Sequence, residues 1–111
     1  MGQLIMNPIG GRDLTAFAYE DITVDTAIGF TAATIAPATF GPAHRAFVTV
    51  ETDQIRWTVD GTTPTSTKGH LAEVGDYIEI EGIANIKAFR AIKVTNNATL
   101  RVSYSRFKMG A

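Results

Sequence analysis

The sequence predicts an all-β protein: an immunoglobulin-like or jelly-roll-like β-sandwich of about seven or eight strands, preceded by an extended N-terminal arm. Three observations carry this. No i, i+3, i+4, i+7 apolar pattern persists for three turns anywhere in the chain. β-branched and aromatic residues dominate the stretches that do alternate. Gly, Pro and Asn separate those stretches at spacings near ten residues, as roughly eight-to-twelve-residue strand-plus-turn units would require. A small closed barrel is the alternative architecture. With 111 residues there is room for one such domain and one core, and 45% hydrophobic against 19% charged residues is enough apolar matter to fold it.

Residues 1 to 20 are assigned to the arm and residues 21 to 111 to the sandwich. Gly2, Pro8, Gly10 and Gly11 punctuate the arm, yet it also carries Leu4, Ile5, Met6, Ile9, Leu14 and Phe17, more apolar surface than a dangling terminus tolerates. It therefore lies across its own sandwich or docks on a neighbour. In extended form such a segment spans on the order of 60 Å. Ile22-Thr23-Val24 opens the strands, and Ala27 to Ala38 reads as a strand with an irregular crossing. Arg45 to Thr52 is apolar on both faces, as a central strand is. Ile55, Trp57 and Val59 alternate with Gln54, Arg56 and Thr58 until Asp60-Gly61 turns the chain and Pro64 stiffens the loop beyond it. Leu71 opens a brief edge strand, and Val74-Gly75-Asp76 turns back into a strand with Ile78 and Ile80 on one face and Tyr77, Glu79 and Glu81 on the other. Gly82 to Ala88 reads as a helical turn. Phe89 to Val94 and Leu100 to Tyr104 form two strands, joined by Asn96-Asn97 as a hairpin.

The chemistry is sparse. There are 0 Cys, so disulfides, thiol nucleophiles and Cys-ligated zinc are excluded. A net charge of -1 and pI ≈ 6.1 argue against binding nucleic acid or a membrane surface through the whole molecule. No run approaches the roughly 20 apolar residues of a bilayer span, and Leu4-Ile5-Met6 is too short for a signal-peptide core. The chain is expected to be made in the cytoplasm. His44 and His70 have no ligand spacing, and His70 reads as a loop tie to backbone carbonyls. Glu79 with Glu81 and Glu20 with Asp21 read as solvated pairs rather than an acid and base across a cleft. Glu51, Asp53 and Asp60 match no calcium-loop signature. Trp57, flanked by Ile55 and Val59, reads as core. No catalytic residue, metal site or cofactor is assigned, and no enzyme activity is expected.

Charge, however, is distributed unevenly. Residues 1 to 81 hold all 11 acidic side chains and four basic ones, a balance of -7; residues 82 to 111 hold six basic side chains and no acid, +6. Within one molecule this places the C-terminal cations against Glu79, Glu81 or Glu51, with Arg56 and Arg90 as partners for Glu79 and Glu81. Between molecules it sets an acidic edge against a basic one.

The stretch Ile55-Arg56-Trp57-Thr58-Val59-Asp60-Gly61-Thr62-Thr63-Pro64-Thr65, followed by Gly69-His70-Leu71, Gly75-Asp76 and Ile86-Lys87-Ala88-Phe89-Arg90-Ala91-Ile92, resembles a group of small tailed-bacteriophage virion proteins. The likeness runs from about Glu20 to Tyr104. Its Asp-Gly-x-x-Pro-Thr block is also found in immunoglobulin-like modules of sugar-degrading enzymes, and the Gly-His-Leu and Phe-Arg-Ala-Ile segments add to it. The resemblance implies a structural protein of the virion, with capsid decoration or cementing of the head shell as the expected role. A tail or connector position, or a carbohydrate-binding module, is the alternative. It implies the major capsid protein or other virion proteins as partners, and a homo-oligomer. Leu4, Ile5, Met6, Ile9 and Phe17 are the expected partner contacts. Asp60, Gly61 and Pro64 have turn-forming roles.

Overall fold

A computed structural model describes residues 14–37 and 42–107. Those residues form two antiparallel sheets. Strands β1 (Leu14–Val24), β2 (Arg45–Glu51), β5 (Tyr77–Glu81) and β7 (Ala98–Phe107) make one sheet in the order β1-β7-β2-β5. Strands β3 (Ile55–Thr58), β4 (His70–Ala72) and β6 (Arg90–Lys93) make the other, in the order β4-β3-β6. Two short helices, α1 (Ala32–Ile35) and α2 (Ile83–Ala88), lie in the connections. The all-β sandwich read from the alternation is the observed architecture.

The core is what the inward parity of each strand supplies. Ile22 and Val24 of β1, Ala46, Val48 and Val50 of β2, Ile78 and Ile80 of β5, and Leu100, Val102 and Tyr104 of β7 face Ile55, Ala72 and Ala91 of the smaller sheet. Each fully buried aliphatic side chain contributes roughly 1.5–3 kcal/mol. The ends are plugged by Ile35 of α1, Ile86 of α2 and Phe89. Phe89 stacks on Phe30 at 4.4 Å and approaches Trp57 at 6.1 Å, while Phe30 meets Tyr104 edge-on at 5.5 Å. This row of rings ties the two layers together.

Several expectations change. The segment 14–20 assigned to the arm is sheet: β1 begins at Leu14, paired to Phe107. A register shift between Ala16 and Ala18 breaks the alternation there, which is what made this stretch look aperiodic. Within the stretch read as a strand from Ala27 to Ala38, the described residues 27–37 hold a bridge, Ile28 to Ala91, and then α1 rather than a strand. The C-terminal hairpin does not exist, because β6 pairs with β3 while β7 pairs with β1 and β2. Asn96-Asn97 therefore carries the chain from one sheet to the other. Thr58, expected on an exposed face, is buried because the following loop folds back over it and its hydroxyl donates to the Thr62 carbonyl at 2.5 Å.

Candidate docking surfaces

Among the described residues, one side of the sandwich ends in two edge strands joined by a short turn, with no further strand paired outside them. β5 ends the larger sheet and β4 ends the smaller one, so the edge strands of both layers lie on either side of the Glu73–Asp76 turn. The turn is built by its own residues: the Glu73 N–H donates to Asp76 Oδ2 at 2.8 Å and the Asp76 N–H to the Glu73 carbonyl at 2.9 Å. Two further bonds, Gly75 N–H to the Val50 carbonyl and Val50 N–H to the Asp76 carbonyl, pin it to β2. Between the edges runs a groove of about 330 Å³ lined by Trp57, Leu71, Ala72, Gly75, Asp76, Tyr77 and Ile78. Around it Leu71, Val74 and Tyr77 stand 44%, 58% and 65% exposed. Exposed apolar residues gathered beside unpaired sheet edges mark a contact surface more often than a random distribution would.

The outer face of the larger sheet is a second candidate. Tyr19 and Phe47 both lie opposite Ser103, on strands flanking β7, and Tyr77 sits beside Phe47 with ring centroids 5.5 Å apart. Charges fill the rows between. Arg101 is paired to Glu51 at 2.8 Å and Asp21 at 3.1 Å, and these contacts hold its guanidinium well above the usual range, the Glu51 hydrogen bond first among them. Arg45 bridges Glu79 at 3.3 Å and Glu81 at 3.6 Å. The pairing of Glu51 with a C-terminal cation is as read from the sequence. Arg56 and Arg90 are not the partners of Glu79 and Glu81; both spend their guanidinium on backbone carbonyls, of Gly69 and of Lys87 and Phe89.

The expected partner contacts divide. Leu4, Ile5, Met6 and Ile9 lie outside the described residues. Phe17 sits at the β1 irregularity, half-buried against the core with the Arg106 guanidinium 4.9 Å from its ring centroid. Asp60, Gly61 and Pro64 occupy the turn and loop after β3. The Thr62 N–H donates to Asp60 Oδ1 at 3.0 Å and holds that carboxyl below its ordinary pKa. Gly61 takes φ 91°, a region open to glycine, and Pro64 is fully buried.

No described group of three or more His, Cys, Asp and Glu is placed to hold a metal ion. The carboxylates weighed for calcium are engaged singly: Glu51 with Arg101, and Asp53 with the Gln54 N–H and Asn96, which lower its pKa. His44 Nδ1 accepts from the Phe107 N–H at 2.8 Å, and the two rings stack at 4.3 Å. His70 packs against Trp57, with ring centroids 4.9 Å apart. The residue that sequence reasoning misplaced is Glu20. It points inward, where Oε2 accepts from the buried Tyr104 hydroxyl and Oε1 from the Thr31 hydroxyl at 2.6 Å. Its signal was present: Glu20 shares strand parity with Ile22 and Val24. Comparison with protein families, with curated proteins and with solved structures returns no match for this chain.

Proposed function

We propose that the chain is a non-enzymatic structural protein of a virion, a decoration or cement protein whose sandwich is laid across boundaries between capsid subunits. The observation that carries this reading is the open side of the sandwich, where Leu71, Val74 and Tyr77 leave apolar surface beside two sheet edges. The resemblance of the Ile55 to Ile92 segments to phage virion proteins supports it. So does composition at the start of the chain: Leu4, Ile5, Met6 and Ile9 precede, in sequence, the edge strand β1 of the larger sheet. Many modest contacts, repeated over a symmetric shell, give durable attachment without any one of them being strong.

The test is co-sedimentation of the purified chain with capsids of the phage that encodes it, prepared without the chain. The full chain pellets with the particles, and both Tyr77→Ala and a chain lacking residues 2–13 pellet less. A full chain that stays in the supernatant at saturating capsid overturns the reading. A second reading is favoured by one observation, the exposed rings of Tyr19, Phe47 and Tyr77 on one sheet face, which suits a carbohydrate chain lying across the strands. Glycan-array binding that disappears in Tyr19→Ala would select it.

A further inference from the structure

The stretch that forms β4, its turn and β5 and the stretch that forms α2 and β6 carry opposite charge. Along the open side, from Leu71 to Glu81, the chain holds Glu73, Asp76, Glu79 and Glu81 and no Lys or Arg. Arg45 alone bridges two of those carboxylates, Glu79 and Glu81. The opposite end of the smaller sheet is β6, entered from α2, and residues 82 to 111 contain no acid. Two of the cations on that side are neutralised or remote: Lys93 pairs with Asp25 at 2.7 Å, and Arg101 is taken by Glu51 and Asp21 on the other sheet. Lys87, in the last turn of α2, and Arg90, at the start of β6, form no ion pair among the described residues. Ile28, exposed and bridged to Ala91, stands beside them.

We infer that the β4–β5 side of one copy docks on the α2–β6 side of a second copy, with Glu73 and Glu81 facing Lys87 and Arg90 across an apolar contact of Leu71, Val74 and Tyr77. Charge complementarity names the occupant. Arg45, shared between two carboxylates, leaves an acid excess there, Lys87 and Arg90 enter no ion pair among the described residues, and β4 and β6 are opposite edges of the smaller sheet. Such a contact is heterologous, since each copy presents one side of each kind, and it propagates into a closed ring or a row rather than stopping at a two-fold dimer. The apolar residues supply the buried area, while the charges fix register and orientation. This deepens the assembly role proposed above and rests on it only for its biological setting.

The experiment is sedimentation velocity of the purified full chain over a range of concentration at low and high salt. Three samples are compared: the native chain, Glu73→Lys with Glu81→Lys, and Lys87→Glu with Arg90→Glu. The native chain self-associates, and its association weakens as salt rises. Each reversed variant associates at least roughly tenfold more weakly. An equimolar mixture of the two recovers association, because every contact between unlike variants is again complementary. Circular dichroism establishes that each variant is folded; if the second is not, Lys87→Glu alone, at an exposed position, takes its place. A native chain that stays monomeric, variants that associate like the native chain, or a mixture that does not recover would each overturn the inference. Capsid co-sedimentation is scored separately, so failure of this contact and failure of the virion role are distinguishable.

Discussion

Glu20 and Tyr104 show how a single pair closes one side of the sandwich. The Tyr104 hydroxyl donates to Glu20 Oε2, and the same carboxylate takes the Thr31 N–H at 3.2 Å and the Thr31 hydroxyl, so the crossing before α1 is tied to β1. Burial first, then the hydrogen bond and the charge of Glu20, push the Tyr104 phenol well above its ordinary value. Tyr104→Phe keeps the ring and removes the donor. It is expected to cost about 1–3 kcal/mol in urea unfolding, the range for leaving a charged acceptor short of a partner. The pH dependence has a definite sign. A folded pKa raised above the unfolded one contributes stability that is complete below about pH 10 and is lost as pH rises towards the folded value. The gap in stability between the native chain and Tyr104→Phe should therefore narrow above about pH 10. A gap that stays constant there, or widens, contradicts the assigned hydrogen bond.

At the scale of elements, the connection from β1 to α1 is held by a close approach that only glycine permits. Ile28 and Ala91 exchange backbone hydrogen bonds at 2.9 and 2.8 Å, which brings Gly29 against the next strand. A Cβ on Gly29 would stand 2.7 Å from the Phe89 carbonyl oxygen and 2.6 Å from Arg90 Nη1. The arginine tip can swing away, but the carbonyl is backbone at a fully buried residue. Gly29→Ala is expected to destabilise by about 1–3 kcal/mol in thermal or urea unfolding, the cost of overpacking. A change within experimental error would mean that the bridge is looser than drawn. This element also marks the limit of what local sequence can tell. β2 and β5 were legible because strict alternation, Ala46-Val48-Val50 and Ile78-Ile80, needs no knowledge of the partner strand. The start of β1 was hidden by the register shift at Phe17. Asn96-Asn97 was misread because a turn signal says that the chain reverses and nothing about which sheet receives it. The docking surface was half legible. The charge asymmetry is plain in the sequence, but that Lys93 and Arg101 are neutralised by internal ion pairs while Lys87 and Arg90 enter none among the described residues follows only from the folded arrangement.

Across the whole molecule, the two sheets share one core. The smaller sheet has three strands of three or four residues, too short to bury a face of its own. Its attachment runs through Phe89, which is fully buried between Trp57 of β3 and Phe30, and through Phe30 to Tyr104 of β7. Trp57 is the chain's 1 Trp, so its fluorescence reports the smaller sheet, whereas far-UV circular dichroism is weighted towards the longer strands of the larger one. If the layers fold as one unit, the two signals give superimposable urea transitions. Phe89→Ala, expected to cost about 3–5 kcal/mol, then shifts both midpoints together. That loss is a large share of the roughly 5–15 kcal/mol that holds a domain folded, so the variant tests the limit of cooperativity. Trp57 emission that changes at lower urea than the dichroism, in the native chain or in Phe89→Ala, would show that the smaller sheet detaches by itself. The β4 edge would then be a mobile flap, and a docking surface built from β4 and β5 together would lose its rigid basis.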